Sequence, residues 1–231
     1  MASIFDLHVH TTKGSMDSGI SPQRLVDQAR ALGLSGVALT EHDKSWPPED
    51  VQPLSEESGL VLVNAREWST NMGHIIVIGM DPYVRNIMMI QDLHKAAQDH
   101  GAYMIMAHPF RYFPGPSNYL FGSNRSSSAL PTEGLAGHPV FDMVDTLEVL
   151  NGGSTDRENQ LAQAVASHMG KQGTGGSDGH AGSELGRYAT AFQRDIRSQE
   201  DLLEELRAGR FYPVQRTAEG IYVPLAQAIA T

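Results

Sequence analysis

The sequence of 231 residues contains no cysteine. That absence removes disulfides, thiolate nucleophiles and cysteine-based zinc sites together, so a metal ion could be held only by His, Asp and Glu. Long apolar runs are missing too: nothing approaches the roughly 18 consecutive apolar residues of a membrane-spanning helix, and no membrane association is expected. Basic residues are few, 17 Lys and Arg against 27 Asp and Glu, for a formal charge of −10. Such a chain is poorly suited to binding nucleic acid through the phosphate backbone, which makes a small phosphorylated molecule the better candidate partner. The amino terminus lacks a basic segment, an apolar stretch and a small-residue cleavage pattern, so no signal peptide is expected and the cytoplasm is the expected compartment.

What is present is a hydrophobic content of 40%, enough to bury a core in one domain spanning residues 1–231. Apolar runs at 4–8, 36–40, 60–65, 74–78, 103–107, 146–150 and 173–176 read as strands. Helical patterns fall between them. The spacing predicts helices over 22–32, introduced by Ser21 and Pro22, over 90–100, closed by Gly101, over 156–168, closed by Gly170, and over 199–208, introduced by Ser198. Strands alternating with helices imply parallel pairing and an α/β fold. Residues 111–139, rich in Gly, Ser, Pro and Asn and without a sustained period, predict a long loop covering a site. The segment FYPVQR near the carboxyl terminus reads as a late strand or extended cover.

The chemistry begins with DLHVH, where Asp6, His8 and His10 alternate along a strand and so share a face. Further candidates sit beside other strand ends: His42 in TEHD, Glu67 in ARE, His74 in GHIIVIG, His108 in MAHPF, and Asp178 with His180 in GGSDGH. In a parallel barrel these ends form one face of the molecule, so residues far apart in sequence can meet there. His74 opens its strand instead, which fits if that strand runs antiparallel to the one before it. The donor types are hard to borderline and suit Zn, Mn or Fe; their number exceeds the needs of one ion and predicts two or three divalent metals. His94, His100 and His168 lie in helices and are not expected to join them, and His138, in the long loop, could reach a substrate only.

DLHVH, ALTEHD, Glu67, AHPF and GGSDGH, in that order, resemble the motifs of the PHP (polymerase and histidinol phosphatase) domain family over about residues 4–192. The resemblance implies a distorted (β/α)7 barrel with its metal site at the carboxyl ends of the strands. It also implies three ligand sets: His8, His10, Glu67 and Asp178; Glu67, His74 and His108; and Asp17, His42 and His180. Stand-alone members of the family resemble phosphatases of small phosphorylated metabolites or nucleotides; polymerase-attached members act as exonucleases or have lost their ligands.

The expected function is therefore that of a metal-dependent phosphoesterase, a phosphoric monoester hydrolase. A hydroxide bridging the metals would attack phosphorus without a nucleophilic side chain. The alternatives are a phosphodiesterase or exonuclease on nucleic acid and a non-catalytic metal-binding module. An amidohydrolase is disfavoured because no lysine stands among the ligand motifs. Arg111, Asn151 and Arg187 are the candidate substrate contacts, the arginines through bidentate binding of phosphate. Asp6 is expected to orient a ligand histidine, and Glu148 either to do the same or to be packed structural polarity.

Overall fold

Ten strands form one curled sheet in the computed structural model, which describes residues 3–42, 44–122 and 129–224. The first seven are β1 (Ile4–Val9), β2 (Gly36–Leu39), β3 (Val61–Thr70), β4 (Gly73–Ile78), β5 (Tyr103–Met106), β6 (Thr146–Asn151) and β7 (Gly173–Gly176). They correspond to the runs that the hydrophobic pattern marks, and they lie side by side in chain order. The β1–β2, β2–β3, β5–β6 and β6–β7 pairs are parallel, whereas β4 is antiparallel to both β3 and β5. That reversal resolves the position of His74: the start of β4 lies level with the end of β3, with His74 opposite Ser69.

Beyond the seven expected strands, three more extend the sheet: β8 (Tyr188–Phe192), β9 (Phe211–Arg216), which is FYPVQR, and β10 (Tyr222–Pro224). β1 is shared between two neighbours. Its first residues pair antiparallel with β8, Ile4 opposite Ala191 and Phe5 opposite Thr190. Its far end meets the chain just past β7, where Asp178 N–H donates to His8 O at 2.8 Å and His10 N–H donates to Gly179 O at 3.1 Å. The curl from β1 to β7 is thus drawn together at the carboxyl end, the end that carries the candidate ligands.

Helices α1 (Pro22–Ala31), α2 (Pro48–Ser58), α3 (Ile90–His100), α4 (Thr132–Ala136), α5 (Asp156–His168) and α6 (Gln199–Arg207) connect the strands. The Ser21 side chain caps α1 by accepting from Arg24 N–H, and Thr155 with Glu158 forms a complete capping box on α5. Neighbouring residues of β4 serve opposite sides of the sheet. Ile75 and Val77 pack with Leu93 of α3 and Val165 of α5, while Ile76 and Ile78 pack with Phe5, Leu7 and Leu203 of α6.

Two expectations for the connections change. Helix α2 is not evident from the sequence, because Pro47, Pro48 and Pro53 break its pattern; Pro48 takes the first turn, and Gly59 ends the helix in the left-handed region. The segment 111–139 is not purely a cover. Leu120, Phe121 and Leu135 are built into the core, and α4 and a 3-10 turn at Pro139–Asp142 order its end. Residues 123–128 of that expected lid lie outside the described residues.

Candidate metal centre

Glu67 is the hub. It is buried on β3, and its two oxygens face different histidines. Oε1 lies 2.9 Å from His74 Nδ1 and 3.0 Å from His108 Nε2; Oε2 lies 3.1 Å from His42 Nδ1, 3.4 Å from His8 Nε2 and 3.5 Å from His10 Nε2. Asp178, beyond β7, closes the other side, with Oδ1 3.4 Å from His8 Nε2 and 3.3 Å from His10 Nε2. Asp17 Oδ2 lies 3.4 Å from His42 Nε2 and 3.3 Å from His180 Nε2. The expected ligands therefore meet at one end of the sheet.

The hydrogen-bond network fixes which ring nitrogens face the centre. His8 Nδ1–H donates to Glu148 at 3.0 Å, leaving Nε2 free. Ser15 accepts from His42 N–H at 3.0 Å and gives its hydroxyl proton to Glu41 at 2.7 Å. Its 3.3 Å contact with His10 Nδ1 therefore makes His10 the donor, again freeing Nε2. His180 Nδ1–H donates to Asp178 O at 3.0 Å, which turns Nε2 toward His42 and Asp17. His8 Nε2 and His10 Nε2 are buried without a hydrogen-bond partner, an arrangement that is costly in a protein unless something else is to be bound. Nearby donor atoms group as His8, His10 and Asp178; as His8, Glu67 and His108; and as His10, His42 and His180. Buried imidazole nitrogens facing carboxylates are a donor set suited to Zn, Mn or Fe.

Backbone geometry and charge support the same assembly. His108 and Asp178 adopt φ of 27° and 53°, left-handed values that a fold keeps in non-glycine residues only where its surroundings impose them. Burial works to raise the Glu67 and Asp178 carboxyls, but the His8 charge and the other facing groups outweigh it and hold both well below the carboxylate range. Burial similarly opposes the charge on His8, yet Asp178, Glu148 and Glu67 raise its pKa well above the ordinary imidazole value. His10 goes the other way, lowered by burial to about 4.

Several polar residues take roles that extend or depart from the sequence expectation, and Asp6, expected to orient a ligand histidine, is a correction. Asp6 does not bond a histidine ring; it accepts N–H bonds from Ser177 at 2.9 Å, Gly186 at 2.9 Å and His8 at 3.3 Å, and burial raises its pKa to about 6. Glu148 orients His8 and also accepts from His108 N–H at 3.0 Å. Glu41, adjacent to His42 in TEHD, carries no motif of its own in the sequence. Buried, it gathers Thr11 N–H at 2.9 Å, Trp46 Nε1–H at 2.7 Å and the Ser15 hydroxyl, and the only hint in the sequence was its place beside a ligand motif.

The expected substrate contacts separate into three situations. Arg111 stands at the centre, its Nη2 bonded to Asn151 Oδ1 at 2.7 Å and to Asp178, and its Nε buried without a partner. It borders a cavity of about 170 Å3 with His74, His108, Tyr112 and Tyr119, and another of about 220 Å3 with Asp178 and His180. Asn151 is spent internally, since its amide also donates to Glu148 at 2.9 Å and to Asp178 at 3.2 Å. Arg187 is not brought to the centre; it lines a different cleft. His94 and His100 bond carbonyl groups through Nδ1, and His138 caps the 3-10 turn and packs on Phe121.

Residues 6–129 match the family model described as PHP domain, and residues 156–211 match one described as PHP-associated. A 5'-3' exoribonuclease of Haemophilus influenzae is 29% identical over 103 residues, 43% of this chain and 37% of that protein. A 3',5'-nucleoside bisphosphate phosphatase of Chromobacterium violaceum is 31% identical over 86 residues, 36% of this chain and 29% of that protein. The chain thus spans well under half the length of these curated relatives. Among solved structures, a candidate metal-dependent phosphoesterase of Bifidobacterium adolescentis superposes with a TM-score of 0.62 at 19% identity, covering 89% of this chain and 96% of that one, a likeness of fold. Among the described residues, no helix is long and apolar enough to cross a membrane.

Proposed function

Since this chain belongs to the PHP domain family, we propose that it is a metal-dependent phosphatase that releases phosphate from small phosphorylated metabolites or nucleotides. The observation that carries the reading is the convergence of the unpartnered His8 and His10 Nε2 atoms on Glu67 and Asp178, with Arg111 beside them. In this reading His8, His10, Glu67 and Asp178 hold one ion, Glu67, His74 and His108 a second, and Asp17, His42 and His180 a third. Divalent ions held there supply water acidified from a pKa of about 15.7 toward 7 and positive charge against the phosphoryl oxygens.

The residues do the rest. Glu67 presents one oxygen to each of two histidine groups and so can join two ions. The Arg111 guanidinium, with an unpartnered Nε and cavities on either side, can take a phosphate through paired N–H groups. The Thr11 and Ser15 hydroxyls, just beyond the DLHVH strand, are committed to Glu41, which supports a reaction without a nucleophilic side chain. The cavities flanking Arg111 are small beside the ~300–1,000 Å3 of drug-sized sites, which favours a compact monoester over a polymer.

The test is phosphate release across a panel of phosphomonoesters and nucleotides with Mn, Zn or Fe restored after chelation. Turnover is expected with at least one monoester, is expected to vanish on chelation, and is expected to fall by at least about a hundredfold in Asp178→Asn. Degradation of labelled single strands by protein that leaves every monoester intact would replace this reading with the exonuclease one.

A further inference from the structure

The turn at 181–186, which follows the candidate ligands Asp178 and His180, borders two cavities. Glu184 faces the one that contains Asp178; Ser183 and Leu185 face a second cleft of about 420 Å3. That cleft is closed by Gln28 and Leu32 from the α1 side and by Arg187 and Arg216, and no member of the metal cluster lines it. We propose that it binds a small polyphosphorylated molecule at a site separate from the metal centre.

The charge distribution is the first argument. In a chain of formal charge −10, cations are outnumbered, and Arg194, Arg197 and Arg210 bridge to Asp or Glu. Among the described residues, neither Arg187 nor Arg216 has an ion-pair partner, although both line one cleft. Arg24, also without a carboxylate, stands against the turn at Gly182, its Nη2 2.9 Å from where a Cβ there would be. The absence of that side chain lets Gln28 and Arg24 of α1 close onto the turn. Guanidinium groups left unpaired around a concavity raise the local potential and favour an anion of several charges.

Unspent hydrogen-bond donors are the second argument. Arg216 Nε and the Tyr222 hydroxyl are buried and have no partner. Tyr222 lies against the same turn, its hydroxyl 2.7 Å from the position a Cβ would take on Gly186. The Arg187 guanidinium lies over the Tyr188 ring, 5.2 Å from its centre, a contact that leaves its N–H groups available. The cleft volume falls in the ~300–1,000 Å3 range of small-molecule sites. Occupancy would be felt at the metal centre through the turn, because the Glu184 carboxylate accepts from His180 N–H at 2.9 Å and Gly186 N–H donates to Asp6.

Inorganic pyrophosphate, titrated calorimetrically into the intact chain and into Asp178→Asn, tests the site. Saturable binding is expected in both proteins. In Arg187→Gln/Arg216→Gln the Kd is expected to rise by at least about tenfold. Ala31→Glu, which places a carboxylate at the cleft rim and keeps both arginines, is expected to weaken binding as well. Thermal unfolding of each variant confirms that it is folded. Binding that is absent altogether, that is indifferent to the arginines and to Ala31→Glu, or that disappears with Asp178→Asn alone would overturn the proposal; the last result would assign the anion to the metal centre.

Discussion

The tautomers of His8, His10 and His180 are set by groups that would themselves touch no metal. Glu148 is the plainest case, since its carboxylate takes the Nδ1 proton of His8 and leaves the other nitrogen facing Glu67 and Asp178. In Glu148→Gln the amide retains the volume but no longer draws that proton as a charge. Metal affinity, measured by competition with a chromophoric chelator, is expected to fall by about 10–100-fold. Unchanged affinity would make Glu148 mere packing. The ligands themselves were legible because polar residues at the ends of apolar strands need a reason to be there. Glu41 and Ser15 were not, since a carboxylate whose partners are a hydroxyl at 15 and an indole at 46 has no spacing that reveals them. Arg187 misled for the converse reason: nearness in sequence to GGSDGH does not fix the direction of its side chain.

At the level of elements, the centre depends on how closely β7 approaches β1. Gly176 makes the approach possible: a Cβ there would lie 2.5 Å from His8 Cβ and 2.8 Å from Glu148 Oε1. Gly176→Ala is therefore expected to destabilise the fold by about 1–3 kcal/mol, read by denaturant unfolding, and to weaken metal binding with it. Loss of stability with metal affinity intact would show that the strands can part without disturbing His8. The glycine-rich run GTGG made β7 the weakest strand in the sequence for this same reason, because residues chosen for close approach carry no hydrophobic pattern. The seven-strand core was readable from periodicity. β8 was not, since YATAF pairs with β1 and β9 in a ribbon that alternation alone does not distinguish from a loop.

For the whole molecule, the −10 charge and the buried carboxylates make metal content a matter of stability. Without ions, the positive His8 stands among Glu67, Glu148 and Asp178 as their counter-charge. Its pKa is raised in the folded state, so the stability it contributes is fully present below the ordinary imidazole value and is lost as pH rises through the raised value. A bound ion must displace that proton, hence affinity increases with pH. Chelation is expected to lower the Tm, and the gap between loaded and stripped protein is expected to widen from about pH 6 to about pH 8, as followed by thermal unfolding. A gap that is constant with pH would mean that His8 is already neutral.

The seam where His8 O meets Asp178 N–H joins β1 to the segment that follows β7, two stretches far apart in sequence. Contacts so distant in sequence carry the largest loop-closure cost and are characteristic of slowly folding topologies. A chain emerging from the ribosome would hold His8, His10, His42, Glu67 and His74 long before Asp178 and His180 exist to complete their sets. The centre is therefore completed only after the segment carrying Asp178 and His180 has been made, and an ion that arrives before then finds histidines without their closing carboxylate.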